Sequence, residues 1–254
     1  MLRFIITKDY REMSKQAAKA IAEDMRWKTR YVLGTATGGT PLGTYKELVR
    51  LYEQGQIDFS NVISFGLDEY IGLPSNHVQC YTRYMWENFF SHINILKTNT
   101  NMPPGIFDDA EIEINNYEKR IENAGGIDLQ ILGVGRNGHI GFNEPGEVLH
   151  ARTHLATLTK QTIEDNARYF SSIDEVPKHA LAMGVGSIFK ARKIIFIASG
   201  EEKAEAVRKT FKGYVDTYCP STLLQMHPNL IVILDEKAAS KLDLSSIHSN
   251  IKII

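Results

Sequence analysis

Residues 65–70 read Phe-Gly-Leu-Asp-Glu-Tyr, which places two acids, Asp68 and Glu69, directly after an apolar run at 62–67. Neighbouring side chains of an extended segment point to opposite sides. One carboxylate, assigned here to Asp68, can therefore face a ligand while Glu69 turns into the structure and caps the next segment. A carboxylate close to its substrate and shielded from bulk water can remove a carbon-bound proton. Two acids that are merely solvated would do no such chemistry, so the pair needs partners elsewhere in the chain.

The stretch Leu132-Gly133-Val134-Gly135-Arg136-Asn137-Gly138-His139-Ile140-Gly141-Phe142-Asn143-Glu144-Pro145 supplies the strongest candidates. Its glycines allow close backbone approach and unusual dihedrals, more densely than a simple loop needs. His139 is the side chain there that exchanges a proton near neutral pH. Glu144 can orient one ring nitrogen and raise its basicity, leaving the other nitrogen for substrate. Asp68, His139 and Glu144 could also be written as an O/N metal set. The five-residue His-to-Glu separation in a glycine-rich loop matches no helical metalloprotease spacing, so no metal is expected.

A third motif, Gly34-Thr35-Ala36-Thr37-Gly38-Gly39-Thr40-Pro41, lies between an apolar run and a helical pattern. Glycines, threonine hydroxyls and the open N–H groups of a helix start can cradle a phosphate. The Gly-Lys-[Ser/Thr] ending of a nucleotide P-loop is absent from this motif, as is the dinucleotide spacing. A strand-to-helix turn with a threonine cap is the plain alternative. Two cations could complete a phosphate site, Arg168 as a bidentate fork and Lys203 as a point charge. Lys203 follows an apolar run ending at Ala198; Arg168 lies on a helical stretch where a surface salt bridge would explain it equally well.

These motifs must be carried by regular elements. Apolar runs at 2–7, 31–33, 62–67, 127–134, 193–198 and 230–234 have the length of buried strands, and helical periodicity appears at 10–24 and 42–52. Strands alternating with helices predict an α/β fold, a Rossmann-like open and mostly parallel sheet with helices on both faces. Ligands in such sheets bind beyond the carboxyl ends of the strands, where the runs ending near Leu33, Leu67, Val134 and Ala198 deliver their polar motifs to one rim. No linker or low-complexity segment divides the chain, so residues 1–254 are read as a single domain.

Composition narrows the function classes. Lys and Arg total 29 against 30 Asp and Glu, so no long-range positive field recruits nucleic acid. Cys80 and Cys219 are far apart and outside any C-x-x-C spacing, which predicts neither disulfides nor zinc and fits a reducing cytoplasm. No apolar stretch approaches the ~20 residues of a membrane span, and the first residues read as a strand followed by charges and not as a secretory signal.

TGGTP, LDEY and GHIGFNEP, in that order, resemble the glucosamine-6-phosphate deaminase family, as do NARYF, VPKHALAMGVG and STLLQMHPN. The resemblance spans about 34–235. It implies that Asp68 takes the C2 proton of a phosphosugar and passes it to C1. It implies that His139 opens the sugar ring with Glu144 as supporting acid, and that Thr37, Gly38, Gly39, Thr40, Arg168 and Lys203 hold the phosphate. The resemblance calls for no cofactor. Asn137 departs from one branch of the family, in which an Asp bonds to the histidine, so His139 is expected to rely mainly on Glu144. Allosteric hexameric relatives bind an acetylated sugar phosphate through hydroxyl and basic residues after NEP; the corresponding positions here are Glu147, Val148, His154 and Ala156. That predicts no such activation, and a monomer or small homo-oligomer.

Two alternatives differ in class. A 6-phosphogluconolactonase would share the sheet and the phosphate cradle but would not need the LDEY carboxylate, because lactone hydrolysis removes no C2 proton. A phosphosugar-sensing regulator would need a DNA-binding head, for which the roughly thirty residues before Tyr31, already used by one strand and one helix, leave no room.

Overall fold

The structure, a computed structural model, describes residues 2–243 and 250–253. In chain order its first half runs β1 (Leu2–Thr7), α1 (Tyr10–Met25), β2 (Tyr31–Thr35), α2 (Gly39–Glu53), β3 (Val62–Gly66), β4 (Asp68–Tyr70), α3 (Tyr81–Asn88), β5 (Thr100–Asn101) and α4 (Ala110–Asn123). The second half runs β6 (Leu129–Leu132), β7 (His154–Thr157), α5 (Lys160–Asn166), β8 (His179–Ala182), α6 (Val185–Phe189), β9 (Lys193–Ala198), α7 (Ala204–Thr210), β10 (Leu230–Asp235), α8 (Glu236–Ala239) and β11 (Asn250–Ile253).

Eight strands form one sheet in the order β11-β1-β10-β9-β6-β2-β3-β5, and every pairing in it is parallel. Parallel strands covered on both faces need apolar residues at every position. That is why β2 and β10 are buried throughout. Around this sheet α1 follows a helical stripe: Met13, Ala17, Ile21 and Met25 are buried, and Asp9 caps its start by accepting from the Glu12 N–H at 2.9 Å.

The order reverses between β2 and β6. From β2 the chain steps outward to β3 and β5, then returns to place β6 on the other side of β2. Such a switch opens a crevice beyond the strand ends, the favoured ligand site of open α/β sheets. The two strands approach closely there, since a side chain at Gly34 would overlap that of Gln130. The strands β9, β6, β2 and β3 are consecutive in the sheet, so the four motifs leave it side by side.

The structure differs from the sequence reading at one instructive place. The run at 62–67 does not carry Asp68 on its own end; β3 stops at Gly66 and Asp68 opens a second sheet, β4-β8-β7, whose pairings are antiparallel. The chain changes sheet because the Leu67 carbonyl accepts from the Met183 N–H at 2.7 Å, tying it to the end of β8. This small sheet has its own apolar centre of Tyr70, Phe142, Ala156, Leu158, Ala180 and Ala182. The segment VPKHALAMGVG therefore supplies a strand, β8, that its short alternation did not announce.

Glu118 of α4 anchors the start of β7 to the rest. Its Oε1 accepts from the Thr153 N–H (2.7 Å), the Thr153 hydroxyl (2.7 Å) and the Ser187 hydroxyl of α6 (2.6 Å). Burial works against its charge, but these donors and Arg152 hold its carboxyl below the usual range. A folded value lowered in this way contributes stability above the unfolded value of 4.5, and that contribution is lost as pH falls through the folded value. Glu118→Ala, which orphans buried donors, is expected to lower the unfolding free energy by roughly 3 kcal/mol at pH 7. Urea unfolding of the two proteins measures this, and an unchanged midpoint would contradict the anchoring role.

Candidate active site

Asp68 stands at the first position of β4, 5% exposed. Its carboxylate faces the backbone N–H of Phe142, which favours the charged form. Gly141 lies against it so tightly that a Cβ there would sit 3.2 Å from Oδ2, and its φ of +54° already favours glycine. The carboxyl is thus held by the backbone of the loop that carries His139. Glu69 points the other way, as alternation along a strand requires. It accepts from the N–H groups of Tyr81 and Thr82, both at 2.8 Å, and from the Thr82 hydroxyl at 3.0 Å, closing the first turn of α3. The two adjacent acids therefore divide into one engaged by the first turn of α3 and one that faces the histidine loop.

Burial pushes the Asp68 carboxyl up to about 7, with the charge of Glu69 adding to the rise and the Phe142 N–H opposing it. A carboxyl poised near neutrality suits proton transfer in either direction.

The histidine loop follows β6 without a helix. Its Gly133, Gly135 and Gly138 reproduce a dinucleotide-type spacing, but the next regular element is β7, so no helix N-terminus meets a pyrophosphate there. The glycines instead make room inward. A side chain at Gly135 would overlap the His139 imidazole, and Gly138, with φ +92°, packs on Cys219. Nδ1 of His139 lies 3.5 Å from Glu144 Oε2 and 3.3 Å from the Thr162 hydroxyl. Oε2 also accepts from the Asn137 amide at 2.8 Å and the Thr159 hydroxyl at 3.1 Å. Burial opposes the charge on Glu144, but the hydrogen bond and charge of His139, with help from Thr162 and Asn137, hold it down at about 2.

Asn137 does not orient the imidazole itself. Its amide goes to Glu144, and its oxygen accepts from the His139 backbone N–H at 3.1 Å, so it holds the acid and the loop.

At the phosphate-type turn, Gly38 takes φ +107° and α2 begins at Gly39 with no side-chain cap, leaving its first N–H groups open. Thr37 and Thr40 flank it, half-buried. The turn is pinned from outside: the Tyr84 hydroxyl donates to the Gly38 carbonyl at 2.6 Å and the Tyr10 hydroxyl to the Gly39 carbonyl at 3.0 Å. A Cβ on Gly39 would lie 3.8 Å from the Tyr169 hydroxyl, and the Arg168 guanidinium covers the Tyr169 ring at 5.0 Å. Lys203 is held below its ordinary value chiefly by burial; Glu202 and Asp165 oppose this, and the nearby charges of Arg168 and Arg136 add to it.

Sequence reasoning missed Thr159, Thr162 and Arg136. Thr159 caps α5, and a capping threonine reads the same whether or not it also serves a carboxylate. Arg136 forms a fork with Asp165, visible only once α5 is seen against the histidine loop. Among the described residues no group of three or more His, Cys, Asp or Glu side chains is arranged to hold a metal ion.

The raised Asp68 value has a stability consequence. An acid whose folded value lies above its unfolded one is ionised in the unfolded chain first, so it costs the fold increasing free energy as pH rises from about 4 to about 7. Asp68→Asn is therefore expected to be more stable than the parent at pH 8, by at most about 4 kcal/mol for a three-unit displacement. The difference should vanish near pH 4. Denaturant titrations at the two pH values check this, and equal stability at pH 8 would contradict it.

With this geometry in view, comparison with known proteins is unambiguous. The family described as glucosamine-6-phosphate isomerases/6-phosphogluconolactonase matches residues 8–232. The glucosamine-6-phosphate deaminase of Thermoanaerobacter pseudethanolicus is 54% identical over 239 residues, 94% of each chain. A solved monomeric glucosamine-6-phosphate deaminase superposes with a TM-score of 0.91 at 44% identity, covering 93% of this chain and 99% of that one. A 6-phosphogluconolactonase from Trypanosoma brucei, at 16% identity and a TM-score of 0.72 over 95% of this chain and 99% of that one, shares the fold alone. The chain belongs to the glucosamine-6-phosphate isomerase/6-phosphogluconolactonase family.

Proposed function

We propose that this protein is an enzyme that converts glucosamine 6-phosphate to fructose 6-phosphate and ammonia. The observation that supports the reading is the contact of the Asp68 carboxyl with the backbone of the loop that also carries His139, in keeping with a base and a proton carrier that serve one small ligand. In this reading the phosphate lies on the 37–40 turn with Arg168 and Lys203. His139 takes the O1 proton and returns it to O5, opening the ring. Asp68 then removes the C2 proton, leaving an enolamine, and returns that proton to C1, which turns the enolamine into an imine at C2. Water adds to C2, and the C–N bond breaks with release of ammonia, so the reaction is a hydrolysis coupled to an isomerisation. Only protons and water move, and the chemistry needs no redox cofactor. A lactonase would leave Asp68 without a task, and burying an idle carboxyl is costly.

The proposal extends to assembly and control. No helix among the described residues is long and apolar enough to cross a membrane, and a monomeric relative has been solved, in keeping with a monomer or small homo-oligomer working in the cytoplasm. Of the positions corresponding to the allosteric site of hexameric relatives, Glu147 and Val148 are exposed and Ala156 is buried in β7. His154 stacks on His150 with ring centres 4.4 Å apart. Burial, then the charge of His150, lowers His154 to about 4, so at pH 7 it offers no positive charge to an anion.

The test is an assay of ammonia and fructose 6-phosphate from glucosamine 6-phosphate; 6-phosphogluconolactone turnover without ammonia would replace this reading with the lactonase one. Because the free base must be ionised, kcat/KM should rise with pH through about 7. Asp68→Asn should bind the sugar phosphate yet lose exchange of the C2 hydrogen with solvent, by at least about 100-fold. N-acetylglucosamine 6-phosphate should leave the substrate saturation curve unmoved, and a clear leftward shift would show that a second site survives.

A further inference from the structure

The imidazole nitrogen that faces the supporting acid has a second oxygen beside it. Glu144 Oε2 is 3.5 Å from His139 Nδ1, a long separation for an N–H···O bond. Two hydroxyls line the gap. Thr162 Oγ1 is 3.3 Å from Nδ1, Thr159 Oγ1 is 3.1 Å from Thr162 Oγ1, and Thr159 Oγ1 is 3.1 Å from Glu144 Oε2.

The direction of these bonds follows from counting protons. The Glu144 carboxylate is ionised and accepts only, and each hydroxyl owns one proton. Thr159 faces both Glu144 Oε2 and Thr162 Oγ1 as a donor with its one proton, and it accepts from the Asn137 amide at 3.3 Å and the Thr162 N–H at 3.3 Å. Thr162 Oγ1 therefore accepts from Thr159. The Glu144 charge 3.5 Å from Nδ1 favours a proton on that nitrogen, and Thr162 Oγ1 stands where it can accept from Nδ1–H as well.

We infer that Thr162 is a positioning residue for the reaction: its buried hydroxyl oxygen shares Nδ1–H with the Glu144 carboxylate and keeps the proton on Nδ1, leaving Nε2 as the nitrogen that serves the substrate. Thr162 is 2% exposed, so no water can easily substitute for it. It belongs to α5, which also contributes Asp165 to the Arg136 fork and leads directly into Arg168. One short helix thus holds the imidazole at one end and a phosphate-site cation at the other. The role of Thr162 in turnover rests on the function proposed above; its hold on the imidazole does not.

Thr162→Val keeps the side chain's volume and removes only the hydroxyl, whereas Thr159 also caps α5 and would confound the result. With glucosamine 6-phosphate, Thr162→Val should lower kcat about 10–100-fold, the usual scale for loss of an orienting partner, with KM changed less than about 3-fold by the same reasoning. Thr162→Ser should recover most of the loss. Nitrogen-15 NMR of the substrate-free protein at pH 8, with the His139 signals assigned by their absence in His139→Gln, reads the proton directly. The parent should show Nδ1 protonated and Nε2 bare, and Thr162→Val should shift His139 toward the other tautomer. A valine variant with parental kcat and an unchanged tautomer overturns the inference, as does a serine variant as impaired as valine, which would make packing the cause. If the parent releases no ammonia, the functional reading fails, while the NMR comparison still decides what Thr162 does to His139.

Discussion

An acid hidden from water has to be held by something, and the backbone at Gly141 and Phe142 lies against Asp68. That contact joins two parts of the molecule with separate origins: a strand of the small antiparallel sheet and a loop from the middle of the large parallel one. The tightness of the Gly141 contact shows how little slack remains between them. Most other features of the site serve to keep this junction in place. Met183 ties Leu67 into the small sheet, and the Asn143 amide donates to the Ile140 and Met183 carbonyls at 2.9 Å each, so the loop is fastened to the same strand end that fastens Asp68.

The two working acids are tuned in opposite directions by their surroundings. Asp68 is buried beside an acidic neighbour with one backbone N–H facing it, and sits at about 7; Glu144 has an imidazole and hydroxyl and amide donors, and sits at about 2. Groups separated in this way take different parts in acid–base chemistry. Asp68 can gain and lose a proton near neutral pH, whereas Glu144 stays charged. Glu69 shows the third outcome, a buried acid whose oxygens are used up by the first turn of α3.

Much of this was readable from residue types. The parallel sheet followed from continuous apolar runs such as that of β10, and the division of labour between Asp68 and Glu69 followed from the two-residue period of a strand. The end of β3 was misplaced by one residue because Leu67 is as apolar as a strand residue; only its bond to Met183 reveals that the chain has left the sheet. The small sheet escaped for a related reason: β4 has three residues and β8 four, too few for alternation to register. The hydroxyls of Thr159 and Thr162 escaped because threonine at a helix start already has a sufficient local explanation. Asn137 looked like a substitute for a charged partner of the imidazole, and its true contacts, to Glu144 and to a backbone N–H, depend on how the glycines fold the loop.

The site depends on a single protonation equilibrium at the junction of the two sheets. Carbon-13 NMR of the Asp68 side-chain carboxyl, followed as a function of pH together with the Phe142 amide nitrogen, measures it directly. The structure predicts one shared titration with a midpoint at about 7. A carboxyl that titrates near 4 while the Phe142 amide stays still would mean that Asp68 is neither dry nor bound to the histidine loop.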